Sequence, residues 1–304
     1  MILINGQKLT INKFPDETLR LNPNVEFIFN HTATICWHFE SNEEMIAVMF
    51  LANHVRRIGA NKVNLVMPYI PNARQDRVKS ENDVFTLKYF AEFINNLNFD
   101  KVVVLDPHSS VSEALINNIE VESPKPYIEK VIKEIKNEIN DEPLIAFYPD
   151  EGAMKRYSGM LDMPYAFGIK KRNWETGKIE GLDVAGAKDL IKDSNIIIVD
   201  DISSRGGTFY FSAKKLKELG AKNVYLYISH CEKTIFDGEI FKSGLINKVF
   251  TTNSIFTDKV KEYANSLGLS DKIQVFEYQT EIARELSELL PGIDSLISKY
   301  GALC

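Results

Sequence analysis

Six stretches of the chain are apolar without alternation: "KVNLVMPYI" (62–70), "KVVVLD" (101–106), "LIAFYPD" (144–150), "NIIIVDD" (195–201), "NVYLYIS" (223–229) and "KVFTTN" (248–253). Each is rich in β-branched or aromatic residues, the pattern of a short strand covered on both faces. Between them the spacing turns helical. "NEEMIAVMFLANHVRRIGA" (42–60) carries Met45, Val48, Met49 and Ala52 on one side and stops at Gly59. "VFTLKYFAEFINNLN" (84–98) and "TFYFSAKKLKELGA" (208–221) read the same way, the latter with Gly220 as its stop. Strand alternating with helix predicts βαβ units, an α/β fold with mostly parallel sheets. The series occurs twice, "KVVVLDPHSS" in the first half answering "NIIIVDDISS" in the second. Two domains are therefore expected, 1–138 and 139–304, parted in the polar helix and turn "KEIKNEINDEP" (133–143), with the tail 285–304 packing back on the first.

Composition narrows the classes. A chain of 304 residues, 44% of them hydrophobic, can bury two cores. A net charge of −6 lacks the basic face that general nucleic-acid binding requires, so no nucleic-acid partner is expected. Cys36, Cys231 and Cys304 are too few and too scattered for a disulfide framework or a metal site, which suggests a reduced, cytoplasmic setting. The start "MILINGQKLTINKF" lacks the pattern of a signal peptide. No apolar run approaches the ~20 residues that span a bilayer, so no membrane association is expected.

Ligands of parallel sheets bind at the carboxyl ends of strands, and the residues there are unusually charged. "DDISSRGGT" (200–208) places Asp200 and Asp201 after an apolar run, then Ser203, Ser204, Arg205, Gly206, Gly207 and Thr208. Glycines let backbone N–H groups approach an anion at a helix start, and Thr208 is expected to cap that helix. Acceptor-only carboxylates suit vicinal sugar hydroxyls or hydrated Mg²⁺. "NARQDR" (72–77) offers Arg74 and Arg77 as forked donors for phosphate oxygens, with Gln75 between them. Asp106 and His108 follow the next strand and suit a divalent ion or a phosphate. "KKR" (170–172) supplies cations that can neutralise growing phosphoryl charge. Taken singly, each has a blander reading: a capped turn, a solvated ion pair, a structural histidine, an exposed charge run.

Taken together and in order, these pieces resemble the ribose-phosphate diphosphokinases, the family that makes phosphoribosyl pyrophosphate (PRPP). "NKVNLVMPYIPNARQDR", "VVLDPHSS", "YPDEGAMKRY", "IKKR", "VDDISSRGGT" and "FPDE" (14–17) are each similar to a motif of that family, and the match covers about residues 10 to 285. The resemblance implies two phosphoribosyltransferase-like domains, a homo-oligomer (dimer or hexamer), Mg²⁺ as cofactor and ATP as co-substrate. It further implies that Arg74, Gln75 and Arg77 bind ATP, that Phe14 and Asp16 hold its adenine across a subunit contact, and that Asp106 and His108 sit by the Mg²⁺-triphosphate. Asp150 would face the ribose and, with His108, the metal. Lys170 and Arg172 would close over the reacting phosphates. Asp200 and Asp201 would hold the ribose 2- and 3-hydroxyls, and the loop Ser203–Thr208 the sugar phosphate. Lys170, Arg172, His108 and Asp150 are the implied catalytic residues.

The chain departs from this family at the sugar-phosphate loop, which usually reads Asp-Thr/Ser-Gly-Gly-Thr. Here Ser204 replaces the acid and Arg205 the small hydroxyl. A loss of one negative and a gain of one positive charge suits a ribosyl ester with more than one phosphate. This favours ADP-ribose as acceptor, the substrate of phage-type relatives in NAD⁺ rebuilding, over ribose 5-phosphate; for a phage-encoded chain the setting would be the host cytoplasm. A catalytically silent, synthetase-binding homologue and a PRPP-consuming phosphoribosyltransferase are the competing readings. The first conflicts with the retained Lys170, Arg172, His108 and Asp150, the second with the doubled domain plan.

Overall fold

The computed structural model describes residues 1–23, 32–172 and 179–279, with the side chains at 170–172 and 179–182 outside that set. The chain forms two compact units, one running Met1–Ser123 and rejoined at Glu277, the other Pro124–Phe276.

The first unit holds β1 (Ile2–Ile4), β2 (Gln7–Lys8), β3 (Ile11–Lys13), β4 (Leu19–Leu21), β5 (Thr32–Trp37), α1 (Glu43–Arg57), β6 (Lys62–Val66), α2 (Thr86–Asn96), β7 (Lys101–Leu105), α3 (Ser110–Leu115) and β8 (Ile119–Glu122). Its sheet has the order β2-β1-β5-β6-β7-β8. The pairs from β5 to β8 are parallel, and β1 and β2 extend the edge antiparallel. β3 and β4 form a separate antiparallel hairpin. Helix α1 buries Ala47, Val48, Leu51, Ala52 and Val55, and α2 buries Leu87, Phe90, Ala91 and Ile94, all in one core with Ile35, Val63, Leu65, Val102 and Val104 of the strands. These are the i, i+3, i+4 positions of amphipathic helices lying on a sheet.

The second unit holds α4 (Lys125–Glu138), β9 (Leu144–Tyr148), α5 (Glu151–Tyr157), β10 (Tyr165–Arg172), β11 (Ile179–Gly186), β12 (Asn195–Ser203), α6 (Gly207–Glu218), β13 (Val224–Cys231), β14 (Lys248–Thr252), α7 (Asp258–Ser266) and β15 (Ile273–Phe276). The sheet order is β11-β10-β9-β12-β13-β14-β15. Among the described residues of this unit, only the β10–β11 pair is antiparallel. The chain leaves β9 on one side to make β10 and β11, then returns to its other side as β12. That reversal is a topological switch point, where an open α/β sheet leaves a crevice at its carboxyl edge.

All six predicted strands are present, as β6, β7, β9, β12, β13 and β14, but their ends differ from the expectation. β6 stops at Val66 and β9 at Tyr148, each shortly before a proline (Pro68, Pro149) that has no N–H for a ladder. β12 instead continues through both aspartates to Ser203. The strands that pattern reading passed over are short, alternating or polar. β5 ("TATICW") alternates in burial over its first four residues, and β10 with β11 is a charged edge hairpin. The division into units also falls earlier than expected, ahead of the polar helix rather than after it. Helix α4 buries Tyr127, Ile128, Val131 and Ile135, and its Glu138 accepts a hydrogen bond from the Tyr225 hydroxyl at 2.8 Å. Four such side chains, at about 1.5–3 kcal/mol each, outweigh the polar surface that marked the end of the helix as a domain boundary. The tail 285–304 lies outside the described residues.

Candidate functional site

The first unit gathers its candidate residues on the loops after β6 and β7. Asn72 takes a left-handed backbone (φ 63°), and its carbonyl accepts from the Gln75 N–H at 3.1 Å. This turn leaves Arg74 and Gln75 exposed and carries Asp76 inward. Arg77 donates through Nε and Nη2 to the two carboxylate oxygens of buried Asp76, at 2.9 and 3.2 Å. The guanidinium holds the Asp76 carboxyl below the ordinary carboxylate range, and His108 acts in the same direction. The Gln75 amide oxygen accepts from the Thr86 hydroxyl at 2.9 Å, tying the loop to the start of α2. After β7, Asp106 is buried in a left-handed turn (φ 41°), and its N–H donates to the Glu122 carbonyl at 3.1 Å. His108 follows two residues on.

Phe14 and Asp16 stand apart, at the tip of the β3–β4 hairpin. Phe14 is 47% exposed, and the Arg20 guanidinium lies 5.8 Å from its ring centroid. Asp16 accepts from the Thr18 hydroxyl and N–H at 2.6 and 3.1 Å, which lowers its pKa and closes the tip.

In the second unit the switch point brings three acids together. Asp150, just beyond β9, caps α5 by accepting from the Ala153 N–H at 3.1 Å. Gly152 leaves it room, since a Cβ there would stand 3.2 Å from Asp150 Oδ1. From β12 come Asp200 and buried Asp201, which lie within the strand rather than after it. Burial first, then the neighbouring Asp201 and more weakly Asp150, push the Asp200 carboxyl well above the ordinary range. Arg156 Nη1 lies 3.3 Å from Asp201 Oδ2. The oxygen-only donor set fits Mg²⁺, which takes one or two protein carboxylates and completes its shell with water and phosphate oxygens. Among the described residues, no group of three or more His, Cys, Asp and Glu side chains is arranged to hold a metal unaided.

Beyond Asp201 the chain turns into α6. Ser203 is buried and its hydroxyl donates to the Ser204 carbonyl at 3.1 Å. Gly206 is the N-cap, in a left-handed conformation (φ 73°) that a side chain would strain. Gly207 opens the helix with nothing within 4 Å of where its Cβ would be. The N–H groups of a first helical turn have no intrahelical acceptor, so Gly207 and Thr208 stand at an anion-binding end. Thr208 sits inside that turn and makes no capping hydrogen bond, contrary to the sequence expectation, because the αL glycine already sets the entry of the chain. Arg205 is exposed, with no ion pair among the described residues. Lys170 and Arg172 also differ from expectation. They lie on β10, with backbone partners Leu182 and Ile179 on β11, and not on a loop after a parallel strand.

Sequence reading gave no role to Glu232, in the wall behind this loop. Ser204 Oγ donates to Glu232 Oε2 at 2.8 Å, and the Thr234 hydroxyl donates to the same oxygen at 3.1 Å. The Glu232 N–H donates to the Ser203 carbonyl at 2.9 Å. Gly238 packs so closely that a Cβ would fall 1.9 Å from the Arg205 carbonyl oxygen, and Ile240 fills the space beside Gly206. The acid absent from the loop sequence is thus returned from the segment after β13. The signal was available, because Glu232 follows a parallel strand directly, and β12 and β13 pair as far as Ser203 with Cys231. Arg156 was likewise legible only as one letter of a motif.

Residues 2–97 match the family model described as the N-terminal domain of ribose phosphate pyrophosphokinase. Ribose-phosphate pyrophosphokinase of Staphylococcus aureus is 27% identical over 273 residues, covering 86% of this chain and 82% of its own length. That of Vibrio cholerae is 28% identical over 264 residues, covering 82% and 79%. Over most of its length the chain is thus similar to ribose-phosphate pyrophosphokinases. The crystal structure of phosphoribosylpyrophosphate synthetase from Mycobacterium smegmatis superposes with a TM-score of 0.71 at 18% identity, over 95% of this chain and 91% of that one, so the pyrophosphokinase fold extends over both units. No helix of the described residues is long and apolar enough to cross a membrane.

Proposed function

We propose that the protein transfers the β,γ-diphosphoryl group of ATP to the anomeric 1-hydroxyl of ribose 5-phosphate, releasing AMP. The observation that carries this reading is the switch-point arrangement: Asp150, Asp200 and Asp201 beside a glycine-entered helix start, in a chain whose relatives are named ribose-phosphate pyrophosphokinases. Asp200 and Asp201 accept from the ribose 2- and 3-hydroxyls, which relieves the crowding of carboxylates that raises the Asp200 pKa. The 5-phosphate takes the first-turn N–H groups at Gly207 and Thr208 and the loop from Ser203. Arg74, Gln75 and Arg77 bind the triphosphate. Phe14, exposed on its hairpin, and Asp16 hold adenine at a contact with a second copy, which makes the active species a homo-oligomer. Asp106 and His108 sit by the triphosphate.

The chemistry is in-line displacement at the β-phosphorus, so catalysis rests on positioning and on neutralising charge. Bound Mg²⁺ would supply part of that neutralisation, with Asp150 of the second unit as the residue to hold it. Lys170 and Arg172 supply the rest.

Ribose 5-phosphate replaces ADP-ribose as the preferred acceptor for a physical reason. The charge argument for a diphosphate ester counted an acid as lost from the loop. Glu232, 2.8 Å from Ser204 Oγ, returns it. The test is AMP formation from Mg-ATP with either acceptor. Ribose 5-phosphate is expected to give the larger kcat/KM. Turnover with ADP-ribose alone overturns the acceptor, and turnover with neither overturns the activity.

A further inference from the structure

The segment from Glu232 to Ile240 touches the sugar-phosphate loop at every residue from Ser203 to Gly206. It does so through the Glu232 N–H on the Ser203 carbonyl, Glu232 Oε2 on the Ser204 hydroxyl, Gly238 against the Arg205 carbonyl and Ile240 against Gly206. Two of these contacts are steric and two are polar, and both polar ones belong to Glu232. Its carboxylate accepts from two hydroxyls on one oxygen, Ser204 at 2.8 Å and Thr234 at 3.1 Å, and those hydroxyls stand 3.4 Å from each other. The residue is half-buried, where a charge is screened less than on an open surface. Within the loop the one formal charge is that of Arg205, exposed and without an ion pair among the described residues.

We propose that Glu232 is a positioning and specificity-determining residue of the acceptor site: it fixes the loop through Ser204, and its negative charge limits how much phosphate charge the loop accepts. The substrate class this selects is a ribosyl 5-monophosphate over a 5-diphosphate. A carboxylate several ångströms from the bound ester repels each added ligand charge, on the order of fivefold in affinity per unit charge at intermediate dielectric. Ser204 Oγ and Thr234 Oγ1 hold the carboxylate in place, so the effect is built into the resting loop. The inference rests on the acceptor assignment above.

Glu232→Gln separates charge from shape, since the amide oxygen still accepts from both hydroxyls. The readouts are calorimetric Kd values and kcat/KM for ribose 5-phosphate and ribose 5-diphosphate. The variant is expected to shift the diphosphate-to-monophosphate ratio about fivefold toward the diphosphate, in binding and turnover alike, and to steepen the salt dependence of binding. Ser204→Ala is expected to raise KM for ribose 5-phosphate about three- to tenfold with kcat nearly unchanged, and Ser204→Thr, which keeps the hydroxyl, is expected to restore it. A ratio unchanged within twofold in Glu232→Gln overturns the charge role. An unchanged KM in Ser204→Ala overturns the positioning role. Wild-type protein that binds ribose 5-phosphate but releases no AMP removes the proposed reaction and leaves the Glu232 assignment standing on the Kd ratio. Wild-type protein that binds neither ester removes both.

Discussion

The two units treat acids at their strand ends in opposite ways. In the first, Asp76 is buried against its neighbour Arg77, and its pKa is held down by that cation, so the charge is settled by the protein. In the second, Asp200 and Asp201 are adjacent on one strand with Asp150 nearby. Burial and mutual repulsion push Asp200 up, and Arg156 ion-pairs Asp201. The topologies differ in step. The parallel strands β5 to β8 of the first unit advance in one direction, whereas β9 and β12 of the second flank a switch point. One unit therefore holds its buried acid already neutralised. The other keeps an electrostatic cost among its own carboxylates. Such stored cost is characteristic of functional sites.

The sharpest way to break this contrast is Asp201→Ala. If the acid pair carries the acceptor sugar, AMP formation is expected to fall at least about a thousandfold while the fold, followed by circular dichroism, survives. A loss below tenfold would place the sugar elsewhere. Next in size is Arg77→Ala. It is expected to raise KM for ATP about tenfold and to remove the cation that holds Asp76 down. An acid with a depressed folded pKa stabilises above its unfolded value, near pH 4, and that support is lost as pH falls through the folded one. Wild type and Arg77→Ala should therefore differ in stability at neutral pH and converge in acid. Parallel curves would mean the pair is ornamental.

The smallest effect has the opposite sign. Asp200 has a raised folded pKa, so its ionisation costs the folded state increasingly as pH rises from the unfolded value through the folded one. Asp200→Asn is expected to stabilise the protein by about 1 kcal/mol at neutral pH, read as a raised Tm, while abolishing turnover. A Tm equal to or below that of wild type would show that the acid is already satisfied without ligand.

Periodicity alone placed β6, β7, β9, β12, β13 and β14 and the helices α1, α2 and α6, because a strand buried on both faces and a helix lying on a sheet leave unmistakable local patterns. It missed the short edge strands and the charged β10–β11 hairpin, where one-sided burial and the partner strand carry the pairing. It also put the domain boundary at the end of α4, since four buried side chains on a polar helix are too sparse a stripe to stand out. In the candidate site, the chemistry of each motif was legible. Asp150, Asp200, Asp201 and the glycine turn are local arrangements whose residue types announce acceptors and an anion end.

Which of those groups meet was not legible. Asp150 and Asp200 lie 50 residues apart in the chain and come together because β12 returns beside β9. Glu232 is 28 residues from Ser204 and reaches it because β13 pairs with β12. Residue type and spacing settle what a side chain can do and which element carries it, since both follow from local sterics and burial. The charge a ligand meets is a sum over neighbours in space, and sheet order alone selected those neighbours. That is how an acid missing from the loop's sequence is present in its structure.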